Sequence, residues 1–282
     1  MLKHDVVIFG TGKITNLLIK KLTFNGKSVI CVTNNKFGQI DRALYKNLKI
    51  LSYNEILNNR VESEIAIFSW RNKDTLYEND KKLLKWFESG MLHTSKSFFF
   101  SSAAVYKESQ FPQNESAKTE KENDKLILEN VIEKLTLQNS TFHTNLRISN
   151  VYGKEISYGF IGSLFESISH GNKVKIFNKK NITRDYIHVD DVIVALEALI
   201  ELNVSNRCLN LSTGVGTSIY QILEIFENYG YKFENRLEIP FPFNLKVTSI
   251  LDCQALSSII KWKPNNLPNV INKLLPKIQK EL

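Results

Sequence analysis

The segment Gly10-Thr11-Gly12-Lys13-Ile14-Thr15 follows the apolar run Val6–Phe9 and leads into a helical pattern over Ile14–Phe24. A strand, a glycine turn and a helix start in that order can hold a pyrophosphate. The glycines let the backbone approach, the first N–H groups of the helix face the anion, and the helix dipole favours its charge. Thr15 stands where a third glycine would allow close packing of helix on strand. A tight turn with no ligand is the plainer alternative. At the end of the next apolar run, Val29–Val32, a dinucleotide site normally offers a carboxylate to the adenosine ribose. This chain has Thr33-Asn34-Asn35-Lys36 there, and no carboxylate before Asp41. Asn34 can bond a ribose hydroxyl, whereas Lys36 and Arg42 can meet a 2′-phosphate. The expected cofactor is therefore NAD or NADP, with a lean toward NADP.

Other reactive residue types form no such pattern. Cys31, Cys208 and Cys253 are far apart and lack metal-ligand spacing, so they read as reduced thiols of a cytoplasmic protein. His4, His93, His143 and His170 have no ligand spacing, and no metal site is expected. Asp190 and Asp191 open a helical pattern, where carboxylates favour the dipole and cap N–H groups. Lys and Arg number 37 against 29 acidic residues, a net +8. The excess is spread out, with pairs such as Lys20-Lys21, Lys81-Lys82 and Lys179-Lys180 as its longest runs. That suits a solvated basic surface or an anionic small molecule better than nucleic acid.

These residues need a scaffold. Short apolar runs at Val6–Phe9, Val29–Val32, Ile65–Phe68, Phe98–Phe100 and Leu146–Ile148 read as strands buried on both faces of a parallel sheet. Between them, Ile14–Phe24, Lys73–Ser89 and Lys118–Leu137 carry helical periodicity. The alternation predicts an α/β fold, a Rossmann-type doubly wound parallel sheet with a smaller C-terminal α/β lobe. Residues 1–150 form the expected dinucleotide domain, with 183–212 returning to it, and 151–282 the smaller substrate lobe. Further helices are expected over Phe160–His170, after Asp190 and over Ile219–Tyr229, with a strand over Val174–Phe177. With 43% hydrophobic and 23% charged residues over 282 positions, the chain can bury a core without disulfides. No apolar run approaches the roughly 18 residues that cross a bilayer, and the N-terminal run is too short for a signal peptide.

Several segments together resemble the extended short-chain dehydrogenase/reductase family, the NAD-dependent epimerase/dehydratases of nucleotide sugars. They are Phe100-Ser101-Ser102-Ala103-Ala104-Val105-Tyr106, Leu146-Arg147-Ile148-Ser149-Asn150-Val151-Tyr152-Gly153, and Thr183-Arg184-Asp185-Tyr186-Ile187-His188-Val189-Asp190-Asp191-Val192. Asn210 to Ser218 and a C-terminal set of Asp252, Ala255, Leu256 and Trp262-Lys263-Pro264 follow in order. The resemblance implies a cofactor site at Gly10, Thr11, Gly12, Lys13, Ile14, Asn34, Ser69, Ser101 and Lys125. It implies that Ser102 bonds the substrate oxygen and Lys125 the nicotinamide ribose. Asn150 and Arg184 would meet the phosphates of a nucleotide sugar, with Phe177 and Tyr186 lining its pocket. Hydride would pass between sugar and cofactor, coupled to proton transfer. The resemblance further implies a homodimer and a setting in polysaccharide biosynthesis. His188 and Tyr106 read as structural, and Asp185 as orienting Arg184.

The family's proton-transferring Tyr stands four residues before its Lys; here that position is Lys121, and no Tyr occurs between Tyr106 and Tyr152. On a helix, Lys121 would face Lys125 one turn on, and the two charges would lower each other's proton affinity. Lys121 is then a candidate acid; a relay through Ser102, water or Glu115 is another. Ser69-Trp70-Arg71 and Pro240-Phe241-Pro242 also depart from the pattern, with Lys246 as a substitute point charge. A non-catalytic relative that binds a dinucleotide or sugar nucleotide is the alternative reading.

Overall fold

The computed structural model describes residues 1–33, 45–69, 78–138, 142–171, 173–177, 181–204, 208–233, 236–240, 242 and 245–279. The chain runs β1 (Leu2–Phe9), α1 (Lys13–Phe24), β2 (Val29–Val32), β3 (Leu48–Leu51), α2 (Tyr53–Leu57), β4 (Val61–Phe68), α3 (Glu78–Glu88) and β5 (Leu92–Ser102). A 3₁₀ turn over Ala103–Val105 is followed by α4 (Asp124–Gln138), β6 (Phe142–Ile148), β7 (Asn150–Tyr152), α5 (Gly159–His170), β8 (Val174–Phe177), β9 (Thr183–His188) and α6 (Val189–Glu201). The remainder is β10 (Cys208–Leu211), β11 (Gly216–Ser218), α7 (Ile219–Glu227), β12 (Arg236–Ile239), β13 (Thr248–Ser249), α8 (Gln254–Ile260) and α9 (Leu267–Gln279).

The central sheet is Rossmann-like, with strand order β10-β6-β5-β4-β1-β2-β3. Parallel pairing joins β1 to β2 and β4, β2 to β3, and β4 to β5. Val6 to Phe9 and Val29 to Val32 are all fully buried, as strands covered on both faces require. On one face Val7, Phe9, Ala66, Phe68 and Phe99 pack against Leu83 and Trp86 of α3 and Leu128 and Ile132 of α4. Phe9 and Phe68 stack at 5.0 Å between centroids. The apolar runs thus lie within the strands, but β1 and β4 start four residues earlier than those runs, which form their C-terminal halves. Lys3, His4 and Asp5 extend β1 because Leu2–His4 find partners in Val61–Ser63. The Asp5 carboxylate also accepts from the Ser28 N–H at 2.6 Å and its hydroxyl at 2.8 Å.

The chain divides into two compact units. The first comprises Met1–Val105, Thr119–Arg147 and Leu196–Leu209; the second comprises Tyr106–Lys118, Ile148–Ala195 and Asn210–Leu282. In the second unit β9 is central, paired in parallel with β7 and β13 and antiparallel with β11. A parallel pair, β8 with β12, stands apart. Helices α5, α7 and α9 close its core with Leu164, Phe165, Ile222, Phe226, Ile271 and Leu275. Helix α7 begins at a reciprocal cap in which Ser218 Oγ accepts from Gln221 N and Gln221 Oε1 from Ser218 N.

The expected helix over Lys118–Leu137 begins only at Asp124. The preceding residues are used otherwise: Lys118 O accepts from Lys107 N, and Glu120 N donates to Val105 O. Among the described residues no helix is long and apolar enough to cross a membrane.

Candidate active site

In the first unit, three strand ends are tied together where the glycine turn leaves β1. Gly10 N donates to Val32 O at 2.8 Å, and Ser69 N donates to Phe9 O at 2.8 Å. Gly10 has φ 95°, a left-handed conformation that a side chain would strain. The Thr11 and Thr33 hydroxyls lie 3.0 Å apart, linking the turn to the end of β2. Thr15 takes its place without a glycine's smallness by folding its hydroxyl into its own turn. Thr15 Oγ1 accepts from Gly12 N at 2.7 Å and donates to Gly12 O at 3.1 Å, with no surface exposed. The first turn of α1 carries no acidic residue, and its leading N–H groups have no acceptor within the helix. Gly10, Thr11, Gly12, Lys13 and Ile14 therefore fit a diphosphate, with the Gly12 N–H already engaged. Asn34, Lys36, Asp41, Arg42 and Trp70 lie outside the described residues.

The same sheet edge carries the second cluster. Register sets Phe9 beside Phe68 and Phe68 beside Phe99, so Ser101 and Ser102 extend β5 on the edge that bears the glycine turn. Ser101 is 6% exposed and its Oγ has no partner among the described residues. Ser102 is half-buried, and its Oγ accepts from Ala104 N at 3.2 Å. Lys125 lies in the first turn of α4; its Nζ donates to Phe100 O at 3.0 Å and sits 5.1 Å from the Phe99 ring centroid. Ser102 and Lys125 are thus brought together. Lys121 is exposed in the turn ahead of α4, not one helical turn from Lys125. The helical spacing from which the two were expected to face each other therefore does not include Lys121, because α4 starts at Asp124.

In the second unit, Asn150 pairs with Tyr186 across β7 and β9. Asn150 Nδ2 donates to Asp185 O at 3.0 Å. Tyr186 is buried, which pushes its phenol up to about 12. Arg184 donates through Nη1 to Thr183 O at 2.9 Å and Val247 O at 2.8 Å, and through Nη2 to Lys246 O. Three backbone carbonyls so fix one edge of the guanidinium, and burial lowers its pKa. The Phe177 backbone is on β8, while its side chain lies outside the description. Lys246 Nζ donates to Tyr106 O.

Asp185 does not orient Arg184 through its carboxylate. That group is fully buried and accepts from Thr213 N at 3.0 Å, Thr213 Oγ1 at 2.7 Å, Gly214 N at 2.9 Å and Ser149 Oγ at 3.3 Å. Burial raises its pKa against the pull of these donors. Glu115 Oε1 accepts from Asn210 N at 2.8 Å. Asn210 also takes the Tyr106 hydroxyl at 2.7 Å and donates to Gln113 O and Asp252 O, so these side chains brace the loop after β5. His188 accepts from Asp190 N at 3.3 Å and meets Tyr152 edge-on at 5.3 Å between centroids.

Two buried groupings carry no sequence signal. Arg147 and Glu129, 7% and 2% exposed, form a two-pronged ion pair at 3.1 and 2.7 Å. His143 lies between Ser97 Oγ at 2.7 Å and Asn145 Oδ1 at 3.0 Å. Asn123, by contrast, was open to detection: an Asn just before an apolar helical run is a helix-start signal.

Residues 6–212 match the model of the NAD dependent epimerase/dehydratase family. The chain is 28% identical over 279 residues to ADP-L-glycero-D-manno-heptose-6-epimerase of Brachyspira hyodysenteriae, covering 86% of this chain and 85% of that protein. It is 28% identical over 165 residues to dTDP-L-rhamnose 4-epimerase of Burkholderia thailandensis, covering 56% and 46%. Among solved structures, UDP-glucuronic acid 4-epimerase from Bacillus cereus, in complex with UDP-glucuronic acid and NAD, superposes with a TM-score of 0.80 at 16% identity and full coverage of both chains. UDP-glucose 4-epimerase from Thermotoga maritima, with UDP-glucose, gives 0.77 at 22% identity over 96% of this chain and 99% of that one. At these identities the superpositions speak for the fold.

Proposed function

Because the chain belongs to the NAD dependent epimerase/dehydratase family, we propose that it is an oxidoreductase or epimerase acting on a nucleotide-linked sugar. The observation that carries this reading is the Ser102–Lys125 cluster on the same sheet edge as the glycine turn. Gly10 to Ile14 hold the diphosphate of a nicotinamide dinucleotide, and Lys125 holds its nearer ribose. NAD is the leading cofactor, since epimerases of this fold have been solved with it; the lean toward NADP rests on residues outside the description. When bound, the dinucleotide accepts or returns a hydride at a sugar carbon. Ser102 Oγ is already an acceptor for Ala104 N–H, so its own hydrogen is directed elsewhere, toward the sugar oxygen. In the second unit, the Nε edge of Arg184 makes no hydrogen bond among the described residues. It supplies the contact to a sugar-nucleotide phosphate, with Asn150 and Tyr186 beside it.

The test is a titration with NAD and NADP, followed by hydride exchange with UDP- and dTDP-linked sugars. Ser102→Ala is expected to retain dinucleotide binding and lose about 10²-fold or more in turnover. Lys125→Met is expected to weaken both. Lys121→Met tests whether an exposed turn residue supplies the proton, and its exposure predicts a small effect. Dinucleotide binding with no exchange toward any of these sugars would favour the non-catalytic reading, whose support is Lys121 at the Tyr position. Failure of both cofactors to bind would sink the proposal.

A further inference from the structure

Ser102 and Lys125 come from different elements, and a ring of hydrogen bonds joins them. Ala104 is its bridge: its N–H donates to Ser102 Oγ at 3.2 Å, and its carbonyl accepts from Asn123 Nδ2 at 3.1 Å. The other side-chain atom of Asn123, Oδ1, accepts from Lys125 N at 3.0 Å. Lys125 Nζ then returns to Phe100 O, two residues before Ser102. Every link lies inside the first unit.

One amide therefore does two jobs. Its oxygen caps the free N–H at the start of α4, as Asn does in general. Its nitrogen clips the 3₁₀ turn that directly follows Ser102. The cap also starts α4 at Asp124, which leaves residue 121 outside the helix.

We infer that Asn123 is a positioning residue that sets Ser102 and Lys125 in fixed register and couples occupancy at Lys125 to order at the Ser102 turn. The inference rests on the proposed reading of Ser102 and Lys125 as a reacting pair. It goes beyond that reading by assigning their mutual placement to a residue that touches neither substrate nor cofactor.

Asn123→Asp separates the two jobs. The carboxylate still accepts from Lys125 N and suits a helix N-terminus, but it has no donor for the Ala104 carbonyl. Asn123→Ala removes both. The measurements are NAD affinity, melting temperature and hydrogen exchange at the Ala104 amide, with and without NAD. In the unsubstituted protein, NAD should slow exchange at Ala104. Asn123→Asp should melt as the unsubstituted protein does and bind NAD within about threefold. Its Ala104 amide should exchange about tenfold faster, with no slowing by NAD. Asn123→Ala should in addition weaken NAD binding, as the turn bearing Lys125 frays. A residue that only capped the helix would be fully replaced by Asp, so an Asn123→Asp protein matching the original at Ala104 overturns the inference. If only NADP binds, the same measurements are made with NADP. Absence of binding of both NAD and NADP by the unsubstituted protein would bring down the functional reading, and the positioning role with it. That failure is distinct because it needs no substitution to appear.

Discussion

His143 is held neutral by its surroundings. Burial pushes its pKa down to about 4 from an ordinary 6.5, against the opposing pull of Asn145. Between those values the unfolded chain binds more protons than the folded one, so stability rises with pH. The contribution is fully present above about pH 6.5 and falls away as the pH drops toward 4. At its fullest it is worth about 3 kcal/mol. Denaturant melts from pH 7 to pH 4 should show that loss, and His143→Gln should flatten the curve over the same range. An unaltered slope in the variant would place the acid sensitivity elsewhere. The buried Arg147–Glu129 pair is instead joined by two charge-assisted bonds. Neither grouping was legible beforehand. Ser97 and His143 are 46 residues apart, and nothing in local spacing joins them.

Elements were legible where a single cause shaped them. Val29–Val32 and Val174–Phe177 were expected as strands with the bounds they have, because apolar runs between turns admit few other solutions. β3 passed unnoticed: Leu48–Leu51 carries Lys49 among three apolar residues, as Val174–Phe177 carries Lys175, and its place in the sheet comes from pairing with β2. α4 was drawn too long because a charged stretch satisfies helical propensity, which tertiary hydrogen bonds readily override. The candidate site shows the same division. The glycine turn was readable from its place between strand and helix. Ser102 and Lys125 were readable through resemblance alone, and the way Asn123 joins them was not. α5 offers a test of packing at this level. A Cβ at Gly162 would stand 2.5 Å from Ile156 O and 2.8 Å from Ser157 C, backbone atoms that cannot swing aside. Gly162→Ala should cost about 1–3 kcal/mol despite the better helix propensity of Ala. A thermal melt equal to or above that of the original would mean the turn before α5 yields more easily than its geometry suggests.

The two units are threaded through one another along the sequence. The chain passes from one to the other after Val105, Lys118, Arg147, Ala195 and Leu209. A fragment ending at residue 150 therefore lacks β10 of the seven-stranded sheet and all of α6, whose second half belongs to the first unit. It would leave β6 as an edge and remove the Ile200 carbonyl that receives the buried Lys96 ammonium at 2.9 Å. Such a fragment should fail to give a cooperative melt, although it holds the glycine turn, Ser102 and Lys125 together. A sharp transition in it would show that the sheet tolerates the loss. The same threading bears on biosynthesis. The sheet is not whole until Leu211 has left the ribosome, three quarters of the way along the chain. Until then the nascent protein carries an unpaired strand edge, a template for contact with other chains. The pace of translation past residue 150 should then govern how much of it reaches the native state.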